Sequence, residues 1–187
     1  VWGIHAEQLV HMKFMEDDEY FQGLPTRPPN GTIALVIPFP QHQLENVLAL
    51  LEVWTMPSFS PFISEGNVKR TKLVFYPASI DNARIDALHS FIKQNDIVKE
   101  MIERTFISYE IFDRKIEDRF DVYYWDRKNG HWLSPGTTEM FFPFMTKFAV
   151  NNYDVVFYHE PDMYPLRAGW LEEAQRLIYA PDSDFWI

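Results

Sequence analysis

Two hydrophobic periodicities alternate along this chain. Unbroken runs rich in β-branched, aliphatic and aromatic residues occur at Thr32-Ile33-Ala34-Leu35-Val36-Ile37-Pro38, Lys72-Leu73-Val74-Phe75-Tyr76, Phe106-Ile107-Ser108-Tyr109-Glu110-Ile111, Tyr153-Asp154-Val155-Val156-Phe157-Tyr158 and from Asp184 to Ile187. Runs of this kind suit strands of a parallel sheet covered on both faces. Between them apolar residues recur at helical spacing. Leu44, Val47, Leu48, Leu51 and Trp54 form one such series before Pro57, and Ile85, Leu88, Phe91 and Ile92 form another after Asp81. Asp81 stands where a helix N-cap is expected. Shorter helical stretches cover Asp96 to Arg104 and Ala168 to Ile178, and Thr137 to Val150 reads as a helix that Pro143 either kinks or begins. Residues 113–135 are polar and aromatic without a period, the pattern of a long covering or functional loop.

Strands alternating with helices predict βαβ units with right-handed crossovers. The expected fold class is therefore α/β, a Rossmann-like, mostly parallel sheet with flanking helices. Residues from about 4 to 21 carry Ile4, Leu9, Val10, Phe14 and Tyr20 in a roughly helical pattern, and Gly23-Leu24-Pro25-Thr26-Arg27-Pro28-Pro29-Asn30-Gly31 follows as a turn-rich linker. The expected organisation is an N-terminal helix and linker over 1–31, then one α/β domain over 32–187. Because Phe185-Trp186-Ile187 reads as a strand cut short, the domain is expected to be incomplete at its C-terminus.

A chain of 187 residues with 47% hydrophobic content can bury the core of one domain. Its net charge of -10 argues against a nucleic-acid binder, which needs a basic patch for phosphates. It leaves room for a small phosphate ligand, since a divalent cation can supply the positive charge. The absence of cysteine excludes disulfides, thiolate metal sites and cysteine nucleophiles, and leaves the compartment open between a lumen such as Golgi or ER and the cytoplasm. No apolar run approaches the roughly 20 residues that span a bilayer. Neither G-x-x-x-x-G-K-[ST] nor a G-x-G-x-x-G after the first strand is present, and with 7 glycines a backbone cradle for pyrophosphate is not expected.

Ligands of open α/β sheets sit beyond the carboxyl ends of the strands. The tips to consider are Pro38-Phe39-Pro40, Pro77-Ala78-Ser79, Phe112-Asp113 and His159-Glu160-Pro161-Asp162. In the last, a buried strand runs into two carboxylates separated by one proline, which fixes φ and is expected to keep the chain extended. Glu160 and Asp162 then suit a hard cation, Mn²⁺ or Mg²⁺, that prefers oxygen ligands and shares its shell with water and phosphate. An exposed loop pair is the plain alternative, because E-x-D is a common spacing.

Asp154 to Asp162, followed by Tyr164-Pro165-Leu166-Arg167-Ala168-Gly169-Trp170-Leu171, resembles the segment around the D-x-D-type motif of GT-A glycosyltransferases, some of which carry an E-P-D variant. The resemblance extends more loosely over 32–187. It implies a GT-A type of fold and the transfer of a sugar from a nucleoside-diphosphate sugar to a glycan, protein or lipid acceptor. It further implies that Asp162 binds the metal on the diphosphate and that Glu160 contacts the donor sugar or ribose. Pro38 and Phe39 end the first strand where family members wrap the nucleoside, with Phe39 a candidate to stack on the base. At the second strand tip the acidic pair of many family members is missing, which leaves Ser79 or Asp81 for that role. The general base of an inverting member lies well past the metal motif and is expected beyond residue 187. The motif opens with Glu instead of Asp.

Remaining candidates each have a plainer account. Ser134, Gly136, Thr137 and Thr138 precede a helix and suit either phosphate or an ordinary N-cap. His131 and Trp132 suit a sugar-stacking lid or a hairpin around Asn129-Gly130. His159 suits a ligand or, more simply, a packing neighbour, and Arg167 a phosphate contact or a surface pair. Asn30-Gly31-Thr32 matches a glycosylation sequon. The remaining rival functions are a sugar nucleotidyltransferase, which lacks here its usual glycine-rich basic loop, and a catalytically silent binding module.

Overall fold

The computed structural model describes residues 31–64, 69–112, 115–116, 136, 140–141, 143–145 and 152–179. The expected helix over 4–21, most of the linker after it, the aperiodic segment 113–135 apart from 115–116, most of the helix expected over 137–150 and the strand at 184–187 lie outside the described residues.

Four parallel strands form one sheet in the order β3-β2-β1-β4. They are β1 (Ile33–Pro40), β2 (Thr71–Ala78), β3 (Tyr109–Ile111) and β4 (Val155–Tyr158). The helices are α1 (Leu44–Thr55), α2 (Asn82–Gln94), α3 (Asp96–Thr105) and α4 (Trp170–Ile178). The chain thus has a Rossmann-like α/β architecture. None of these helices is long and apolar enough to cross a membrane.

The unbroken apolar run of β1 follows from its place between β2 and β4 with both faces covered; every residue from Ile33 to Pro40 is buried. Strand alternation sends Leu35, Ile37 and Phe39, with Leu73 and Phe75 of β2, to one face. There they pack with Val47, Leu50, Leu51 and Trp54 of α1, Leu88 and Ile92 of α2, and Val98, Met101 and Ile102 of α3. Ala34, Val36, Val74, Tyr76 and Val156 point to the other face and meet Ile116, Met140 and Phe144.

Two strands run farther than their prolines suggest. β1 continues through Pro38 to Pro40, and β2 through Pro77 to Ala78. In a parallel ladder each residue directs its N–H and C=O to one neighbour only, alternating along the strand. Ile33 donates to Arg70 on the β2 side, so the even residues of β1 face β4, and the amide of His159 accordingly donates to Val36 O. Pro38 and Pro40 therefore lack an N–H on the β4 side alone, where pairing has ended at Val36↔Tyr158, while pairing with β2 runs on to Pro40↔Ala78. Pro77 likewise faces β3, whose register with β2 ends at Phe75↔Ile111. The third and fourth strands are shorter than their apolar runs, since Phe106 caps the end of α3 and Tyr153 and Asp154 precede the ladder.

The helix starts explain the rest of the layout. Asp81 accepts a 2.8 Å hydrogen bond from Arg84 N and Asn95 a 3.2 Å bond from Val98 N, each satisfying a free amide in a first turn. α4 starts at Gly169, whose φ of 75° places it in the left-handed region. Its amide donates to Ser60 O at 2.8 Å, and the Glu172 carboxylate accepts from Ile63 N and Ser64 N, so α4 is tied to the loop after α1.

Candidate functional site

The strand order 3-2-1-4 sends the connection after β1 to one side and leaves β4 on the other. The carboxyl ends of β1 and β4 thus flank a topological switch point, the usual ligand crevice of such sheets. Pro38 and Pro40 lie past the last β1–β4 pair, Val36↔Tyr158, and offer β4 no donor there. The chain leaving β4 turns away after the bond from His159 N to Val36 O at 2.8 Å.

That departure is a β-turn: Met163 N donates to Glu160 O at 3.1 Å, with Pro161 in the second position, where its fixed φ is favoured. The extended path expected from the proline is corrected accordingly; the chain reverses, with Glu160 first and Asp162 third in the turn. Pro161 is buried, whereas Glu160 and Asp162 are exposed. Neither carboxylate is engaged in a hydrogen bond or ion pair among the described residues. No group of three or more His, Asp and Glu side chains able to hold a metal ion is found among the described residues. The donor set is two oxygen-bearing groups, which fits a hard cation that completes its shell with water and phosphate oxygens and does not fit a site caged by protein alone.

Behind the turn stands His159, 7% exposed. Its ring contacts Trp54 edge-on at a centroid distance of 5.6 Å and Trp170 at 5.5 Å, with Phe157 at 6.3 Å. Burial among these rings pushes the imidazole below its ordinary pKa, against the opposing pull of the Glu160 carbonyl and the Asp162 charge. Nδ1 lies 2.9 Å from Glu160 O and donates to it, which fixes the neutral tautomer with its proton on Nδ1. His159 is thus a packing anchor for the turn that carries both carboxylates.

On the opposite face Tyr158 is half-buried. Its hydroxyl is buried without a hydrogen-bond partner among the described residues. Burial raises its pKa, with Tyr76 and Glu160 adding to the effect. The sequence pattern places Tyr158 and Tyr76 only as the last residues of apolar strand runs. The available signal was an aromatic with a polar tip near the carboxyl end of both β2 and β4, on the same face.

The remaining expected site residues separate. Phe39 lies in the core, 0% exposed. A base-stacking role is corrected by this burial, because stacking needs an open ring face and the β1 ladder carries Phe39 inward against α1. Pro38 is buried and lies just past the last β1–β4 pair. Ser79 adopts φ 49° after β2, and its hydroxyl accepts from Ile116 N at 3.0 Å, so it fastens 115–116 to the β2 tip. Asp81 is occupied by the Arg84 amide and guanidinium, and these hold its carboxyl below the ordinary range. Arg167 is exposed and its charge acts on Glu173 of α4. Asn30, His131, Trp132, Ser134, Thr137 and Thr138 lie outside the described residues, and Gly136 is buried.

A cavity of about 450 Å³ opens elsewhere, at the amino ends of β2 and β3. It does not adjoin the carboxylate turn. The turn is the better candidate for phosphate chemistry because its position follows from topology and its two acids are unengaged among the described residues. No protein-family model, curated protein or solved structure compared with this chain matches it.

Proposed function

We propose that this chain is the donor-binding part of a glycosyltransferase with the GT-A type of fold, acting on a nucleoside-diphosphate sugar with Mn²⁺ or Mg²⁺. The observation that carries the reading is the exposed Glu160-Pro161-Asp162 turn at the carboxyl end of β4, beside the topological switch point between β1 and β4. Asp162 would hold the cation and Glu160 would face the donor sugar or ribose. The cation, when bound, offsets charge on the departing diphosphate. The chain's own part is to fix the two acids at one end of a rigid strand while His159, seated among Trp54, Phe157 and Trp170, holds the turn in place. A core this aromatic behind the turn favours fixed positions for the acids over an adaptable loop.

Calorimetric titration with a panel of nucleoside diphosphates, with Mn²⁺ and then with chelator, tests the proposal. Selective binding that needs Mn²⁺ is expected, and Asp162→Asn should weaken it at least tenfold, with Glu160→Gln weakening it less. Binding indifferent to both Mn²⁺ and Asp162→Asn would sink the site. Preference for a nucleoside triphosphate would favour a sugar nucleotidyltransferase, and metal-dependent binding without transfer to any acceptor would favour a silent binding module.

A further inference from the structure

The cavity at the far end of the sheet has its own chemistry. It lies between the end of α2, α3 and the segment leading into β3. Its inner wall is Ile92, Ile102 and Phe106, each at most 3% exposed, and its rim carries Lys69, Lys93 and Lys99. Helical spacing builds the wall: Lys99, Ile102, Glu103 and Phe106 fall three, one and three residues apart, on one side of α3 and its continuation. Lys69 donates to the main-chain carbonyl of Glu103, one of the acceptors a helix end leaves open, and is thereby held at the rim. Lys93 and Lys99 are exposed and hold no ion pair among the described residues.

Three lysines face one carboxylate, that of Glu103, in a chain whose net charge is -10. Anions are repelled by most of this surface and attracted here. Ile107 beside the lysines is 47% exposed, so apolar surface remains open to water next to free positive charge. The volume lies within the roughly 300–1,000 Å³ typical of small-molecule sites. We propose that this recess binds a small amphipathic anion, an alkyl or aryl body bearing one carboxylate or phosphate. The body lies on Ile92, Ile102, Phe106 and Ile107, and the head group meets Lys93 and Lys99. Nothing in this inference depends on the nucleotide reading, since the recess and the Glu160-Pro161-Asp162 turn occupy opposite ends of the strands.

Octanoate serves as the probe, followed by amide chemical shifts of the whole chain, with 1-octanol as its uncharged counterpart. Saturable shifts are expected at Ile92, Lys93, Lys99 and Ser108, with 1-octanol binding at least about tenfold more weakly. The double variant Lys93→Glu/Lys99→Glu should lose at least about tenfold in octanoate affinity, and Lys115→Glu, a charge reversal at an exposed site outside the recess, should lose none. An otherwise unchanged spectrum of the double variant establishes that it is folded; if it is not, Lys93→Gln/Lys99→Gln gives the same comparison with a smaller loss. Octanoate shifts scattered over the surface, equal binding of octanol, or affinity untouched by the lysine variants would each overturn the proposal.

Discussion

At the scale of single residues, the informative positions are those whose environment contradicts their polarity. His159 is one. An ordinary imidazole has a pKa of about 6.5 and is half-charged at that pH, but this one sits among Trp54, Phe157 and Trp170 with its pKa lowered by burial. The unfolded chain therefore takes up this proton at a higher pH than the folded one. Wherever the unfolded state binds more protons, stability rises with pH. The cost of His159 is absent above about pH 6.5 and grows as pH falls from there toward the depressed folded value. Urea denaturation from pH 7 down to pH 5 should show stability declining, with a shallower decline in His159→Gln; parallel declines in the two proteins would refute the assignment. The sequence placed His159 beside the acids and allowed it to be a packing neighbour. It gave no sign of the ring box, because Trp54 and Trp170 come from helices 116 positions apart. Phe39 failed for the same reason: which side of a strand residue is covered depends on helices far off in sequence.

At the scale of elements, the order and type of strands and helices were legible in the residues that the structure describes, and the strand ends were not. The four apolar runs that fall on described residues form parallel strands, and the series over 44–54, 85–92, 96–104 and 168–178 form helices on the covering layers. The carboxyl ends of β1 and β2 share one cause. The apolar runs end at Pro38 and before Pro77, but a proline stops a strand only where its missing N–H is called upon, and both face a side on which pairing has finished. Which side that is depends on strand order, which a single run of residues does not encode. The E-P-D turn was misread in the opposite direction, as extended, because proline suits both polyproline-like chain and the second position of a turn. Gly169 is an element-level device that a sequence pattern does register, standing immediately before the Trp170-Leu171 start of α4. A Cβ there would lie 2.8 Å from Ile63 Cδ1. That terminal methyl is at the end of an exposed side chain and can move, so the lasting cost is the left-handed backbone, about 1–2 kcal/mol for a residue with a Cβ. Gly169→Ala should lower the unfolding free energy by about that amount. An unchanged denaturation midpoint would mean that the loop of residues 60–64 and α4 readjust together.

At the scale of the molecule, topology and charge make separate statements about where ligands go. The strand order directs ligands to the carboxyl ends of β1 and β4. A net charge of -10 instead attracts any divalent cation weakly over the whole surface, including places such as the Glu172-Glu173 pair in α4. Salt separates the two, because diffuse attraction between exposed charges is screened beyond about 8 Å at 0.15 M ionic strength, whereas a cation chelated by carboxylates and a diphosphate is not. Mn²⁺ is paramagnetic and broadens the amide signals nearest to it. With a nucleoside diphosphate in 0.15 M salt, substoichiometric Mn²⁺ should therefore erase the signals of His159, Glu160, Asp162 and Met163 first, then those of Phe39 and Gln41 across the crevice. Lys93, Lys99 and Ser108, at the amino ends of the strands, should persist longest. Asp162→Asn should abolish this order of loss while leaving the remaining spectrum in place. Broadening that began in α4, or that kept its order in Asp162→Asn, would place the cation on diffuse surface charge. The carboxyl-end crevice would then lose its claim to the metal, with the sheet and its helices standing as described.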